Sequence, residues 1–201
     1  MRIAASLVAL LLVAAMACAA PTPPAPAPKM RPYCGIGVLM LAIPSADGES
    51  YPLYDEPAIA RRGVLDMTRV PPYEWIFGSH GTSLALMVMA RKGEWLRVAY
   101  DDAGREAWLN PCRPASFHPW EEFLKGQTGT LLPGLQKRYY QLFRQPGAGP
   151  LATLPPKQPF LVVKLEQDWA LVVATGQTTL GWLRWRDEDG RLLMGLPYKI
   201  R

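Results

Sequence analysis

The chain has 201 residues, of which 49% are hydrophobic and 19% charged, with a formal net charge of +5. That is enough apolar material for packed cores, which excludes a disordered polar chain. The 21 prolines and 17 glycines speak against a mostly helical protein, and two histidines with three cysteines leave a poor donor set, so no metal and no other cofactor is expected.

In chain order, residues 1–17 (MRIAASLVALLLVAAMA) place one charge, Arg2, before an apolar run with small residues at its end. This is the layout of a secretory signal peptide, and the run is short of the roughly 20 residues a bilayer span needs. Cys18 follows directly, and residues 18–32 are a Pro/Ala-rich linker containing PTPPAPAP. Proline at every second position prevents helix and ladder formation and favours an extended spacer. A cysteine at this place, ahead of such a tether, resembles the bacterial lipoproteins, in which that cysteine carries the lipid. The resemblance implies lipidation of Cys18 and a membrane anchor. Ordinary signal cleavage after Ala17, Ala19 or Ala20 is the alternative. Either route exports the chain to the periplasm or cell envelope.

Export places Cys34 and Cys112 in a disulfide-permitting compartment, and by count they are expected to pair with each other. The sharper reading, a catalytic thiol, would need a histidine partner, and neither His80 nor His118 sits in a recognisable motif for it. The basic residues are scattered rather than striped (Arg61-Arg62, Arg91-Lys92, Lys137-Arg138, Arg184, Arg186), so no nucleic-acid partner is expected.

An internal repeat organises the rest. YPLYDEP at 51–57 matches YQLFRQP at 140–146, an offset of 89. GEWLRVAY at 93–100 matches QDWALVVA at 167–174, and AWL at 107–109 matches GWL at 181–183, both at an offset of 74. Three ordered matches indicate a duplication whose first copy carries about 15 extra residues near 68–82. Each copy predicts short strands: Tyr51–Tyr54, Val64–Met67, Leu84–Arg91, Trp95–Tyr100 and Ala107–Leu109, then Tyr140–Phe143, Leu151–Leu154, Phe160–Glu166, Trp169–Ala174 and Gly181–Trp185. Turns fall at 101–106 and 175–179. CGIGVLMLAI, within 33–43, predicts a buried strand that joins the first copy. Pro119, then Glu121 and Glu122, then Gly126 predict one short helix over 119–125.

The Trp95–Leu109 and Trp169–Leu183 stretches, each with W-x-x-V followed by a turn and Ala-Trp-Leu or Gly-Trp-Leu, resemble the bacterial SH3-like domains. The resemblance implies an all-β fold of two small SH3-like barrels: domain one at 33–115, a helical connector at 116–137, and domain two at 138–201. It also implies a targeting or interaction role in the cell envelope. Ser79-His80-Gly81-Thr82 resembles the L,D-transpeptidase signature, but threonine stands where the thiol nucleophile belongs, and a loop is the expected reading.

The expected function is therefore a non-catalytic binding module, not an enzyme, for an envelope polymer (wall peptide or glycan) or an envelope protein. A minor wall hydrolase and a structural subunit of an envelope assembly are the alternatives. The repeated Trp95, Trp108, Trp169 and Trp182 are expected in the cores. The ligand-binding candidates are the aromatics without such a role: Tyr73, Trp75 and Phe77 in the insertion, with Tyr54, Tyr100 and Trp185 beside them.

Overall fold

Strand pairing follows the repeat closely. The computed structural model describes residues 30–43, 50–78, 83–111, 115–176 and 179–196. In the first copy, β1 (Gly37–Ala42), β2 (Pro52–Glu56), β3 (Ile59–Val64), β4 (Ser83–Lys92), β5 (Trp95–Ala99), β6 (Glu106–Leu109) and β7 (Ala115–Pro119) form one antiparallel sheet in the order β3-β2-β6-β5-β4-β1-β7. A four-residue helix α1 (Glu74–Phe77) interrupts the stretch between β3 and β4, and α2 (Trp120–Leu124) follows β7. In the second copy, β8 (Thr128–Leu131), β9 (Gln141–Phe143), β10 (Pro150–Thr153), β11 (Phe160–Glu166), β12 (Trp169–Ala174), β13 (Leu180–Arg184) and β14 (Met194–Gly195) repeat that order as β10-β9-β13-β12-β11-β8-β14. The fold is all-β, as expected. Neither sheet is closed: β3 and β7 are the free edges of one, β10 and β14 of the other.

The duplication extends to single hydrogen bonds. Leu65 N–H donates to Tyr51 O at 2.8 Å, and Leu154 N–H to Tyr140 O at 2.6 Å. Tyr51 OH donates to Ala42 O at 2.9 Å, and Tyr140 OH to Leu132 O at 3.1 Å. Tyr100 N–H reaches Arg105 O and Ala174 N–H reaches Thr179 O, both at 3.0 Å. Tyr54 meets Trp95 edge-on at 5.2 Å between centroids, and Phe143 meets Trp169 likewise at 5.2 Å. Bulges recur after Val88 in β4 and after Val162 in β11. The tyrosine hydroxyl bonds and the edge-on ring pairs require the same residue class in both copies, which is why the repeat survives in the sequence at those positions.

Alternation in each sheet sets one face inward. Leu39, Leu41, Leu53, Leu86, Val88, Leu96, Val98 and Leu109 fill the first copy. Leu131, Leu142, Phe160, Val162, Ala170, Val172 and Leu183 take the corresponding places in the second. Residues out of phase with the first set, Val38, Ala85 and Met87, are also buried, because α1, α2 and the end of the second copy pack on that face with Ile76, Phe77, Trp120, Leu124, Trp185 and Met194. Burial on both faces explains why β1 is a continuous apolar run rather than an alternating one. A Cβ on Gly195 would stand 2.5 Å from Ile76 O, so glycine is needed for β14 to lie against α1. Arg31–Arg201 forms one compact unit.

The segment Arg31–Cys34 straps this unit. Leu192 N–H donates to Pro32 O at 3.0 Å, and Cys34 N–H to Gly190 O at 2.8 Å. Arg31 reaches Asp187 Oδ2 at 2.7 Å, and Arg191 stacks on the Tyr33 ring at 4.1 Å.

Several expectations are corrected. The second strand of the first copy is Ile59–Val64 rather than Val64–Met67, because the chain turns tightly at Pro57-Ala58, where Ala58 adopts φ +62°. The stretch read as a connector includes β8, the first strand of the second sheet. Three of the repeated tryptophans are not buried: Leu96 and Val98, and Ala170 and Val172, point inward, so Trp95 and Trp169 take the other face and are half-buried. Trp108 and Trp182 lie on that face beside them, cross-strand from Arg97 and Leu171; Trp182 is half-buried, whereas Trp108 is buried as expected, though outside the two main core clusters. Cys18, Cys112 and the Ser79–Thr82 tetrapeptide lie outside the described residues, as do the signal peptide and most of the linker.

Candidate functional site

The hairpin turn between β5 and β6 is built by Asp101-x-x-Gly104-Arg105. Gly104 N–H donates to Asp101 O at 2.9 Å, and Arg105 donates twice to the Asp101 carboxylate, from N–H at 2.9 Å and from Nε at 2.5 Å. Asp101 is 4% exposed. Burial works to raise its pKa, but the Arg105 N–H and guanidinium outweigh that and hold it below the usual carboxylate range. The carboxylate thereby fixes Arg105 through Nε and leaves the terminal nitrogens of the guanidinium directed elsewhere. Arg105 also lies over the Tyr100 ring at 5.5 Å.

Strand β3 supplies the facing wall. Arg62 donates from Nε to Asp55 Oδ1 at 2.7 Å and from Nη1 toward Tyr100 OH at 3.4 Å. Asp66 closes the turn after β3 by accepting from Thr68 Oγ1 at 2.6 Å and Thr68 N–H at 3.0 Å, bonds that lower its pKa. Arg69 stands beside it, and its exposed guanidinium makes no hydrogen bond or ion pair with another described residue. Between these walls lies a groove of about 210 Å³, floored by Leu53 and lined by Arg62, Gly63, Val64, Asp66, Arg69, Tyr100, Asp101 and Arg105. Arg62 and Arg105 each use the Nε side on a carboxylate of the fold. Such a set can receive an anionic, planar group, because an oriented guanidinium presents a fork that matches a carboxylate.

The second copy lacks this chemistry on the same backbone. Leu151 stands where Arg62 does, Ala174 for Tyr100, Thr175 for Asp101 and Thr179 for Arg105. The backbone bond between the first and last of the last three positions is nevertheless kept. The fold therefore does not require the polar set, which marks it as an addition to the first copy.

A wider cleft of about 430 Å³ lies on the second copy among Arg31, Gly134, Gln136, Arg138, Tyr139, Asp187 and Glu188. Its polar groups are largely engaged with each other: Tyr139 OH donates to Glu188 Oε2 at 2.6 Å, Arg138 reaches the same oxygen at 3.3 Å, and Arg31 holds Asp187. Among the described residues no group of three His, Cys, Asp or Glu side chains is placed to hold a metal ion.

No family model and no curated protein matches the chain. Among solved structures it is similar to one described as the structure of NlpC2 from Trichomonas vaginalis, at 11% identity and a TM-score of 0.28, covering 79% of this chain and 48% of that one. The chain thus spans about half the length of that protein, and a TM-score this low does not establish a shared fold.

Of the aromatic candidates, only Tyr100 lines the groove. Tyr54 lies on the outer face against Trp95. Phe77 is 2% exposed and Trp185 3%, both inside the core between the copies, so neither presents a surface to a ligand. Tyr73 and Trp75 pack against that core, and burial, aided by Asp102, pushes the Tyr73 phenol up to about 12. The insertion is thus a packing element. Its apolar residues fall at helix spacing and cover a sheet face that the second copy leaves bare. Cys34 carries a buried thiol, which burial pushes up to about 12 against the pull of Arg186. The residues that the sequence did not single out are Arg62, Arg69 and Arg105. The available signal was that none of these arginines recurs in the second copy.

Proposed function

We propose that the protein is a non-catalytic cell-envelope binding module, and that the first-copy groove receives the carboxylate of an envelope ligand such as a wall peptide stem. The observation that carries this reading is the arginine-lined groove, built on a duplicated backbone whose other copy has none of it. Arg62 and Arg105 are held by Asp55 and Asp101, and Arg69, which lines the groove, has no hydrogen-bond or ion-pair partner for its guanidinium among the described residues. Tyr100 adds an aromatic wall.

The remaining elements fit this role. The signal peptide delivers the chain to the envelope, and a lipid on Cys18 with the proline-rich spacer holds the domain pair off a membrane. The resemblance of both copies to SH3-like domains supports a reading as interaction modules, and a Cys34–Cys112 disulfide would fasten the start of the first copy to its end. In the reduced protein, burial pushes the Cys34 thiol up to about 12, so it is almost wholly protonated at neutral pH; oxidised or reduced, it supports binding over thiol catalysis.

Each exposed arginine–carboxylate contact contributes on the order of 0.2–1 kcal/mol, so the affinity for one stem is modest and sensitive to salt. The test is co-sedimentation with purified cell-wall sacculi. Binding that falls as the Debye length shrinks from about 10 Å at 0.1 M to about 3 Å at 1 M salt fits the reading. Absence of binding at low salt rejects a wall ligand.

A further inference from the structure

The outer face of the second sheet has diverged in the opposite sense from the groove. Leu161, Val173 and Leu180 are cross-strand neighbours on β11, β12 and β13, and Leu171 follows on β12 beside Trp182. Leu161 is 41% exposed, Val163 at the bulge 38%, and Leu180 54%. The corresponding positions of the first copy carry Met87, Met89, Ala99, Glu106 and Arg97. There Met87 is fully buried beneath the shared core, and Arg97 pairs with Glu106 at 2.9 Å. The second copy has replaced that ion pair with Leu171 and Leu180, and it has no insertion to cover the face. An apolar row that one copy covers and the other leaves open is an interaction surface.

We infer that this face pairs with the same face of a second copy of the chain. The charges around it decide between partners. Lys164 pairs with Glu166 at 2.5 Å and lies over Trp182 at 5.1 Å. Arg184 faces Asp168 at 4.0 Å and Glu188 at 3.7 Å and lies over Trp169 at 5.0 Å. Both signs alternate along the rim, so a two-fold related copy can set each cation opposite an anion. An anionic bilayer would meet Glu166, Asp168 and Glu188. A sheet face also stacks well on another sheet face at a separation of about 10 Å.

The patch is small. Three strands and two side-chain rows cover about 15 Å by 14 Å, on the order of 200 Å² per partner. That is about a quarter of a standard interface, so the dimer is weak. A dimer presents two grooves to one polymer and so raises avidity. The pairing itself does not depend on what the groove binds.

Sedimentation velocity of the full chain in a non-ionic detergent, from about 5 to 500 μM, tests this. The double variant L171R/L180E transplants the first copy's ion pair onto equivalent backbone, and L180S is a milder second variant. I59S, at an exposed edge position of the first copy, is the control. The expected result is a concentration-dependent dimer that both face variants weaken at least about tenfold while I59S leaves it unchanged. A wild type that stays monomeric throughout overturns the inference. So does dimerisation that survives L180S. So does Leu180-dependent binding to phosphatidylglycerol–phosphatidylethanolamine vesicles without self-association.

Discussion

Asp187 closes the strap that joins the start of the compact unit to its last hairpin, and replacing it by asparagine isolates that role. Its carboxylate is buried and accepts from Arg191 N–H at 2.8 Å, Asp189 N–H at 3.1 Å and Arg31 Nη2 at 2.7 Å. Asparagine keeps an oxygen for the two backbone donors but turns both bonds neutral, at roughly half the strength. It offers Arg31 an amide nitrogen in place of an acceptor, which removes a charged hydrogen bond of about 1.5–3 kcal/mol. The sum is a loss of about 2–4 kcal/mol, or roughly 4–16 °C in melting temperature for a domain of this size. Urea unfolding followed by tryptophan fluorescence measures it. The pH dependence gives a second check. Burial pushes the Asp187 pKa up, but the Arg191 N–H and Arg31 outweigh it and leave it lowered. A lowered folded pKa contributes stability that is full above the unfolded value of roughly 3.9 and is lost as pH falls through the folded value. The gap between wild type and D187N is therefore widest near neutrality and narrows in acid below that value. A difference under about 0.5 kcal/mol at pH 7 would refute the strap.

Other consequences are as direct. Trp120 Nε1–H donates to Cys34 O at 2.7 Å in the core between the copies. Trp120→Phe leaves that carbonyl unpaired and should cost about 1–3 kcal/mol in urea unfolding, whereas Phe123→Leu on the half-buried side of the same helix should cost less. Gly195→Ala drives a methyl group against the Ile76 backbone and should destabilise by about 1–3 kcal/mol in the same assay; an unchanged midpoint would contradict the packing of β14 on α1. In reduced native protein the Cys34 thiol should resist alkylation at pH 8, where about one part in ten thousand is thiolate, and react once the chain is unfolded.

What the sequence showed and hid has physical causes. Tyr51 and Tyr140, Trp95 and Trp169, and Trp108 and Trp182 were visible as a repeat because each pair makes the same backbone or ring contact twice. Strand β8, Thr-Gly-Thr-Leu, was not, because four residues with a glycine carry almost no periodic signal; pairing with β11 and β14 makes it a strand. The helix α1 was hidden in an insertion whose aromatics suggested exposure. Only the packing of the two copies shows that Ile76 and Phe77 are buried by the second. The groove was hidden for another reason. Arg105 is far in the chain from Arg62 and Arg69, and the three look like scattered surface charge until the β5–β6 turn folds beside β3. Tyr100 was legible because it ends the repeated tryptophan strand and has no aromatic counterpart at Ala174.

The groove is tested most directly by fluorescence titration with a soluble wall tetrapeptide bearing a free C-terminal carboxylate, comparing the wild type with R62Q/R69E and with L151E, at the second-copy position that corresponds to Arg62. Binding should weaken at least about tenfold in the first variant and be unchanged in the second, and amidation of the peptide's terminal carboxylate should abolish it. Equal affinity across the three proteins, or undiminished binding of the amidated peptide, would contradict a carboxylate-binding role for the first copy.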